Sequence, residues 1–156
     1  MQNYSKMAAT VMFAGLFLLS GTPARAQSEE NQCSNRTIRG DYGFSLEGII
    51  LSVPGVVLPP GVTLPIRGVA MTHFDGKGNL TQVDYAVVNG MPPDREWTPG
   101  TGTYKVNADC TGSLQIVVPG NPFSPIKLHF VVVRDGKEIR TVVGANAVSS
   151  IGIRID

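Results

Sequence analysis

An excess of charge of either sign is missing from this chain. Thirteen Lys and Arg stand against twelve Asp and Glu, a formal net charge of +1 over 156 residues, and the two signs are interspersed. Binding to nucleic acid or to an anionic membrane surface draws on clustered cations, and the sequence offers no such cluster. Histidine is almost absent. His73 and His129 are the only two, and no H-x-H, H-x-x-x-H or H-E-x-x-H spacing joins them. There is no C-x-x-C pair and no G-x-S-x-G elbow, so no metal site, cofactor site or nucleophile motif is legible locally. Beyond residue 26 no amphipathic segment of 3.6-residue period reaches useful length. The 18 Gly and 11 Pro of the chain punctuate it too often for helices.

What is present begins with "MQNYSKMAATVMFAGLFLLSGTPARAQ". Lys6 precedes an apolar run from Met7 to Leu19, and Ala24-Arg25-Ala26 forms a small-x-small cleavage site. This is the layout of a secretory signal peptide, and its apolar run is too short to span a bilayer as a mature helix. The expectation is a signal peptide over 1–26 and a single domain over 27–156. The mature chain of 130 residues (156 − 26) is long enough for a core, carries no membrane span, and is secreted or periplasmic.

Export also explains the cysteines. Cys33 and Cys110 are the only two, 77 residues apart, and in an oxidising compartment they are read as one structural disulfide. Cys110 lies in "ADCT", a polar turn between "GTYKVN" and "SLQIVV". The cross-link would thus tie the mature N-terminus to a late turn.

The remaining chain alternates. In "DYGFSLEG", Tyr42, Phe44 and Leu46 alternate with Gly43, Ser45 and Glu47, the period of a half-buried strand. "IRGVAMTHF" and "NLTQVDYAVV" flank the tight turn "DGKG". "IKLHFVVVR" and "EIRTVVGA" flank "DGK", and "SSIGIRI" closes the series. About eight strands joined by short hairpins predict an all-β, antiparallel up-and-down barrel with one disulfide, the alternative being a two-sheet β-sandwich. Asp41, Asp75, Asp109 and Asp135 adjoin Gly or lie in turns, where self-capping accounts for them.

The segments "RGDYGFSLEG", "FDGKGNLT" and "GTYKVNADCTGSL" resemble a loose group of small exported bacterial proteins of unassigned function. The resemblance covers most of the mature chain and implies a calycin-like or allene-oxide-cyclase-like barrel. Its motifs are turns and strands, so it implies an architecture and no reaction.

Three segments interrupt the hairpins: 51–65, 89–100 with the sole tryptophan Trp97, and 119–125 with Phe123. They are rich in Pro yet apolar, and are expected to plug the barrel ends and complete the core. The alternative is a lid or docking surface. Two interiors are open to β-strands 66–74 and 79–88. One lines the barrel with Gly68, Ala70, Thr72, Gln82 and Asp84, leaving a hydrated cavity. The other packs Val69, Met71, Val83, Tyr85 and Val87 inside with Arg67 at the rim. The second buries more apolar area at about 25 cal/mol per Å² and is the expectation.

The first functional expectation is non-enzymatic binding of a small apolar or amphipathic ligand at the barrel mouth, with Trp97, Phe123 and Arg67 as contacts. An inward Arg67 would suit a carboxylate. The alternative, implied by the resemblance alone, is a cyclase- or isomerase-like enzyme in which Asp84, Tyr85 and His73 act as acid, base or dipole in an interior pocket. A third reading is a structural or interaction module built on the apolar loops. Ligand identity and oligomeric state are not legible in the sequence.

Overall fold

Residues 32–155 of the chain are described by a computed structural model. The expected leader over 1–26 lies outside the described residues. A short 3-10 helix, Asn35–Ile38, leads into eight strands: β1 Gly40–Ile50, β2 Leu64–Phe74, β3 Asn79–Val88, β4 Thr98–Val106, β5 Thr111–Val117, β6 Ile126–Val133, β7 Glu138–Val143 and β8 Ala147–Ile155. Each strand pairs antiparallel with the next, and β8 returns to β1, so the sheet closes into an up-and-down barrel. The sandwich alternative is thereby excluded. Phe44 of β1, for example, faces Ala70 on one side and Gly152 on the other.

Turn chemistry sets the hairpins. At the β2–β3 turn, Asp75 Oδ1 accepts the backbone N–H groups of Lys77, Gly78 and Asn79 at 2.6, 2.9 and 3.0 Å. These bonds and the Asn79 side chain hold the Asp75 carboxyl far below its ordinary pKa. Asp109 similarly accepts the N–H and hydroxyl of Thr111 at 3.0 and 2.7 Å. Arg134, Asp135 and Gly136 all take positive φ (55°, 55° and 79°) in the β6–β7 turn. Gly136 is doubly constrained, because a Cβ there would collide with the Thr37 carbonyl. Asp41 departs from the self-capping expectation. It lies in β1 opposite His73, and its Oδ1 sits 2.7 Å from His73 Nδ1 on the outer wall.

Cys33 and Cys110 are bonded, with Cα atoms 5.0 Å apart, and Cys110 occupies the β4–β5 turn at φ 66°. The bond fastens the 3-10 helix across one end of the barrel. Ile38 is fully buried there, above an aromatic row in which Phe74 meets Tyr42 and Tyr104 edge-on at 5.5 and 4.9 Å between centroids. Arg154 braces this floor from inside. Its guanidinium donates to Tyr42 Oη at 2.8 Å and to the Thr37 carbonyl at 2.6 Å, while the Tyr42 hydroxyl donates to the Gly136 carbonyl. Burial raises the Tyr42 phenol pKa, and the Arg154 bond works against that rise. Among the described residues no buried side-chain polar atom of this floor lacks a partner, and the floor is closed.

The interior alternation overturns the expected one for β2 and β3. Ala70, Thr72 and Phe74 are buried, and Gln82, Asp84 and Ala86 face the same way. Val69 and Met71 are 49% and 45% exposed on the outer wall, alongside Val83. The more apolar face lies outside because the middle of the barrel is not filled. A larger buried area decides orientation only where side chains meet across a packed core.

Candidate functional site

The floor half of the barrel is packed, and the opposite half is open. A cavity of about 460 Å³ runs from the Leu80 and Phe74 level to the end where β1, β3, β5 and β7 finish. Its size falls within the usual range for small-molecule sites, roughly 300–1,000 Å³. Two glycine–aromatic pairs shape the barrel, and the first of them, with Phe44, lines the cavity. Gly152 lies opposite Phe44 and Gly112 opposite Phe130, and each ring rests where a neighbouring Cβ would otherwise stand. Lying against the wall, the Phe44 ring leaves the space in front of it free.

The lining is mainly apolar, with Leu46, Ile66, Ala70, Ala86, Leu114 and Leu128 among its members. Against this background stands one polar row. Thr72 Oγ1 donates to Gln82 Oε1 at 3.2 Å, and Gln82 Nε2 donates to Asp84 Oδ2 at 2.9 Å. The register explains the row. Thr72 pairs with Gln82 across the β2–β3 ladder, and Asp84, two residues on, shares that face between Ala70 and Thr98. Both flanking side chains are small, so the carboxyl opens onto the cavity. Desolvation raises its pKa above the ordinary aspartate value, and the Gln82 bond opposes part of that effect. On the far wall, four and three strands away round the ring, Thr141 of β7 and Ser150 of β8 share a hydrogen bond of 2.7 Å.

Phe123 lines the mouth with Met91, Pro92, Pro93 and Pro122. The segments expected to plug the barrel do not fill it. Val57 is 95% exposed, and Leu51, Val56 and Met91 are also exposed. Asn146 Oδ1 accepts the N–H groups of Leu51 and Ser52 at 2.8 and 3.2 Å, so the first loop is fastened to the β7–β8 turn at the rim. Proline denies these segments a place in the ladder, and the rim is where they can lie.

The other sequence-derived site residues fall outside the cavity. Trp97 packs on the outer wall against Tyr85, with ring centroids 6.3 Å apart. Tyr85 faces out opposite Val69, and His73 faces out beside Asp41. Arg67 is exposed and lies 3.5 Å from Glu47, above a shallow outer groove. Asp84 and Phe123 therefore share the cavity, whereas Tyr85, His73, Trp97 and Arg67 do not. Asp84, Tyr85 and His73 do not converge, which removes the geometry their joint catalysis would need. Among the described residues no group of three or more His, Cys, Asp or Glu is placed to hold a metal. Nor is any helix among them long and apolar enough to cross a membrane.

Two structural participants were not recognised as such from the sequence. Arg154 alternates with Ile151, Ile153 and Ile155, which suggests an apolar inner face and an outward arginine, yet the isoleucines are exposed. The alternation was readable, and only its sense was inverted. Asn146 carried no comparable signal.

Comparison of the chain with protein-family models, with curated proteins and with solved structures finds no match in any of the three. The likeness to calycins is therefore one of architecture, a closed barrel of eight antiparallel strands compatible with that fold. Architecture alone assigns no reaction.

Proposed function

We propose that this protein is an exported carrier or receptor that binds a small amphipathic molecule inside its barrel. The reading is carried by one observation, an apolar cavity of about 460 Å³ with a closed floor and an open mouth. A barrel built only for stability would fill that volume, because empty apolar space costs dispersion contacts and cavity energy. The leader-like segment over 1–26 supports export, and the Cys33–Cys110 bond suits an oxidising compartment. Binding without chemistry is the economical reading, since one carboxyl with no second titratable partner in the cavity makes a poor acid–base pair.

An environment-sensitive apolar dye tests the reading. Saturable fluorescence enhancement with one site per chain is expected. Ala70→Leu places extra methyl groups into the lining and should weaken dye binding by tenfold or more while the protein stays folded. Dye binding that does not saturate, or that is unchanged in Ala70→Leu, would overturn the proposal.

A further inference from the structure

We propose that the preferred ligand carries a cationic head, an alkylammonium or comparable aliphatic amine, which pairs with the Asp84 carboxylate while its chain lies along the apolar wall. The inference rests on the barrel being a ligand-binding protein and adds the chemical class of ligand. Among the residues that line the cavity, Asp84 is the sole ionisable one, and no Lys, Arg or His faces it there. Its Oδ2 is occupied by the Gln82 amide, whose orientation is set in turn by Thr72. No protein donor among the described residues reaches Oδ1, so one carboxylate oxygen is left for a ligand.

Three head groups can be compared on that geometry. A carboxylate or phosphate would bring a second negative charge against Asp84 with no cation nearby to offset it, in a setting where desolvation magnifies the repulsion. A hydroxyl could bond to Oδ1 but would leave the charge uncompensated. An ammonium supplies both a donor and the missing charge, and a charge-assisted bond is about twice as strong as a neutral one.

The test uses the full chain, with displacement of the apolar dye by decylammonium, decanol and decanoate at pH 7 below their micelle concentrations. Decylammonium should displace the dye at least tenfold more tightly than decanol, with decanoate weakest. Asp84→Asn should cut decylammonium affinity tenfold or more and change decanol affinity less than threefold. That retained decanol binding also shows that the variant is folded. Glu47→Gln, which removes the same charge from the outer wall, should leave all three affinities within twofold. Equal binding of the three compounds, or insensitivity of the amine to Asp84→Asn, overturns the head-group inference while leaving the binding barrel intact. Failure of all three to displace a dye that itself binds saturably overturns the head-group inference alone, whereas absence of saturable dye binding overturns the reading it rests on.

Discussion

Replacing Cys33 and Cys110 together by serine removes a cross-link that closes a 77-residue loop. In the chain-entropy account the bond restricts the unfolded ensemble, and a loop of that length corresponds to about 4.5 kcal/mol at 25 °C. The folded geometry should survive the exchange, because other contacts hold the same segment in place. The Cys33 N–H donates to the Ala108 carbonyl at 3.2 Å, and the Val106 N–H donates to Asn35 Oδ1 at 2.8 Å. Arg154 holds Thr37 from inside the barrel. The loss therefore falls on the unfolded state, and it is a large share of the roughly 5–15 kcal/mol that a typical domain has. Urea denaturation followed through Trp97 fluorescence measures it. The double variant should lose about 2–5 kcal/mol, with an m-value equal to or above that of the parent, since an uncross-linked unfolded chain exposes more surface. Dye binding at low denaturant should persist, because the bond lies at the floor and the cavity opens at the other end. A change below about 0.5 kcal/mol would refute the reasoning. Two titratable thiols in the denatured, unreduced parent would refute it as well.

Asp84→Asn should raise the melting temperature at neutral pH, because the raised pKa marks a carboxyl that the fold prefers protonated. The sign follows: for a raised carboxyl, stability is fully present below the unfolded pKa, near 3.8, and is lost as pH rises through the higher folded value. Its inward neighbours Ala70, Thr98 and Gln82 do not titrate, so the gain of the variant over the parent should be larger at pH 7 than at pH 4. An equal gain at both would sink the assignment. Gly152→Ala puts a Cβ into the Phe44 ring, and repacking should cost about 1–3 kcal/mol in urea melts and narrow the cavity in dye titrations. Arg154→Met strands the Thr37 carbonyl, while the Tyr42 hydroxyl keeps its bond to the Gly136 carbonyl, and should cost about 2 kcal/mol by the same assay, whereas His73→Ala on the outer wall should leave dye affinity unchanged.

The strands were legible because alternation and turn chemistry are local. Asp75, Asp109 and the "DGK" segment declare their hairpins without help from the rest of the chain. The direction of each face was harder, because a barrel wall that encloses a cavity need not put its most apolar face inside. Val69, Met71 and Val83 outnumber Ala70, Thr72 and Gln82 in hydrophobicity, yet they face out. One local clue pointed the right way. Phe74 and Leu80, which flank the β2–β3 turn, share the parity of Thr72 and Gln82, and both are buried. Strand β1 was read correctly because Tyr42, Phe44 and Leu46 alternate with small or polar residues. Asp84 was visible as an unusual strand carboxylate, but its isolation from any cation is a property of the assembled lining. That lining is drawn from all eight strands and the rim loops.

The ring is sealed by a single long-range seam, and this has a kinetic consequence. Seven of the eight ladders join consecutive strands, while β1 must find β8, bringing Phe44 to Gly152 across 108 residues. Loop-closure entropy makes such a search slow relative to hairpin formation. The Cys33–Cys110 bond supplies a shortcut, since a path through the sulfur bridge is about half as long as the path along the backbone. Halving a loop lowers its closure cost by about 0.6 kcal/mol, close to a threefold rate increase. Oxidation early in the life of the chain would therefore hasten the meeting of its first and last strands and shorten the time for which both stand as open edges.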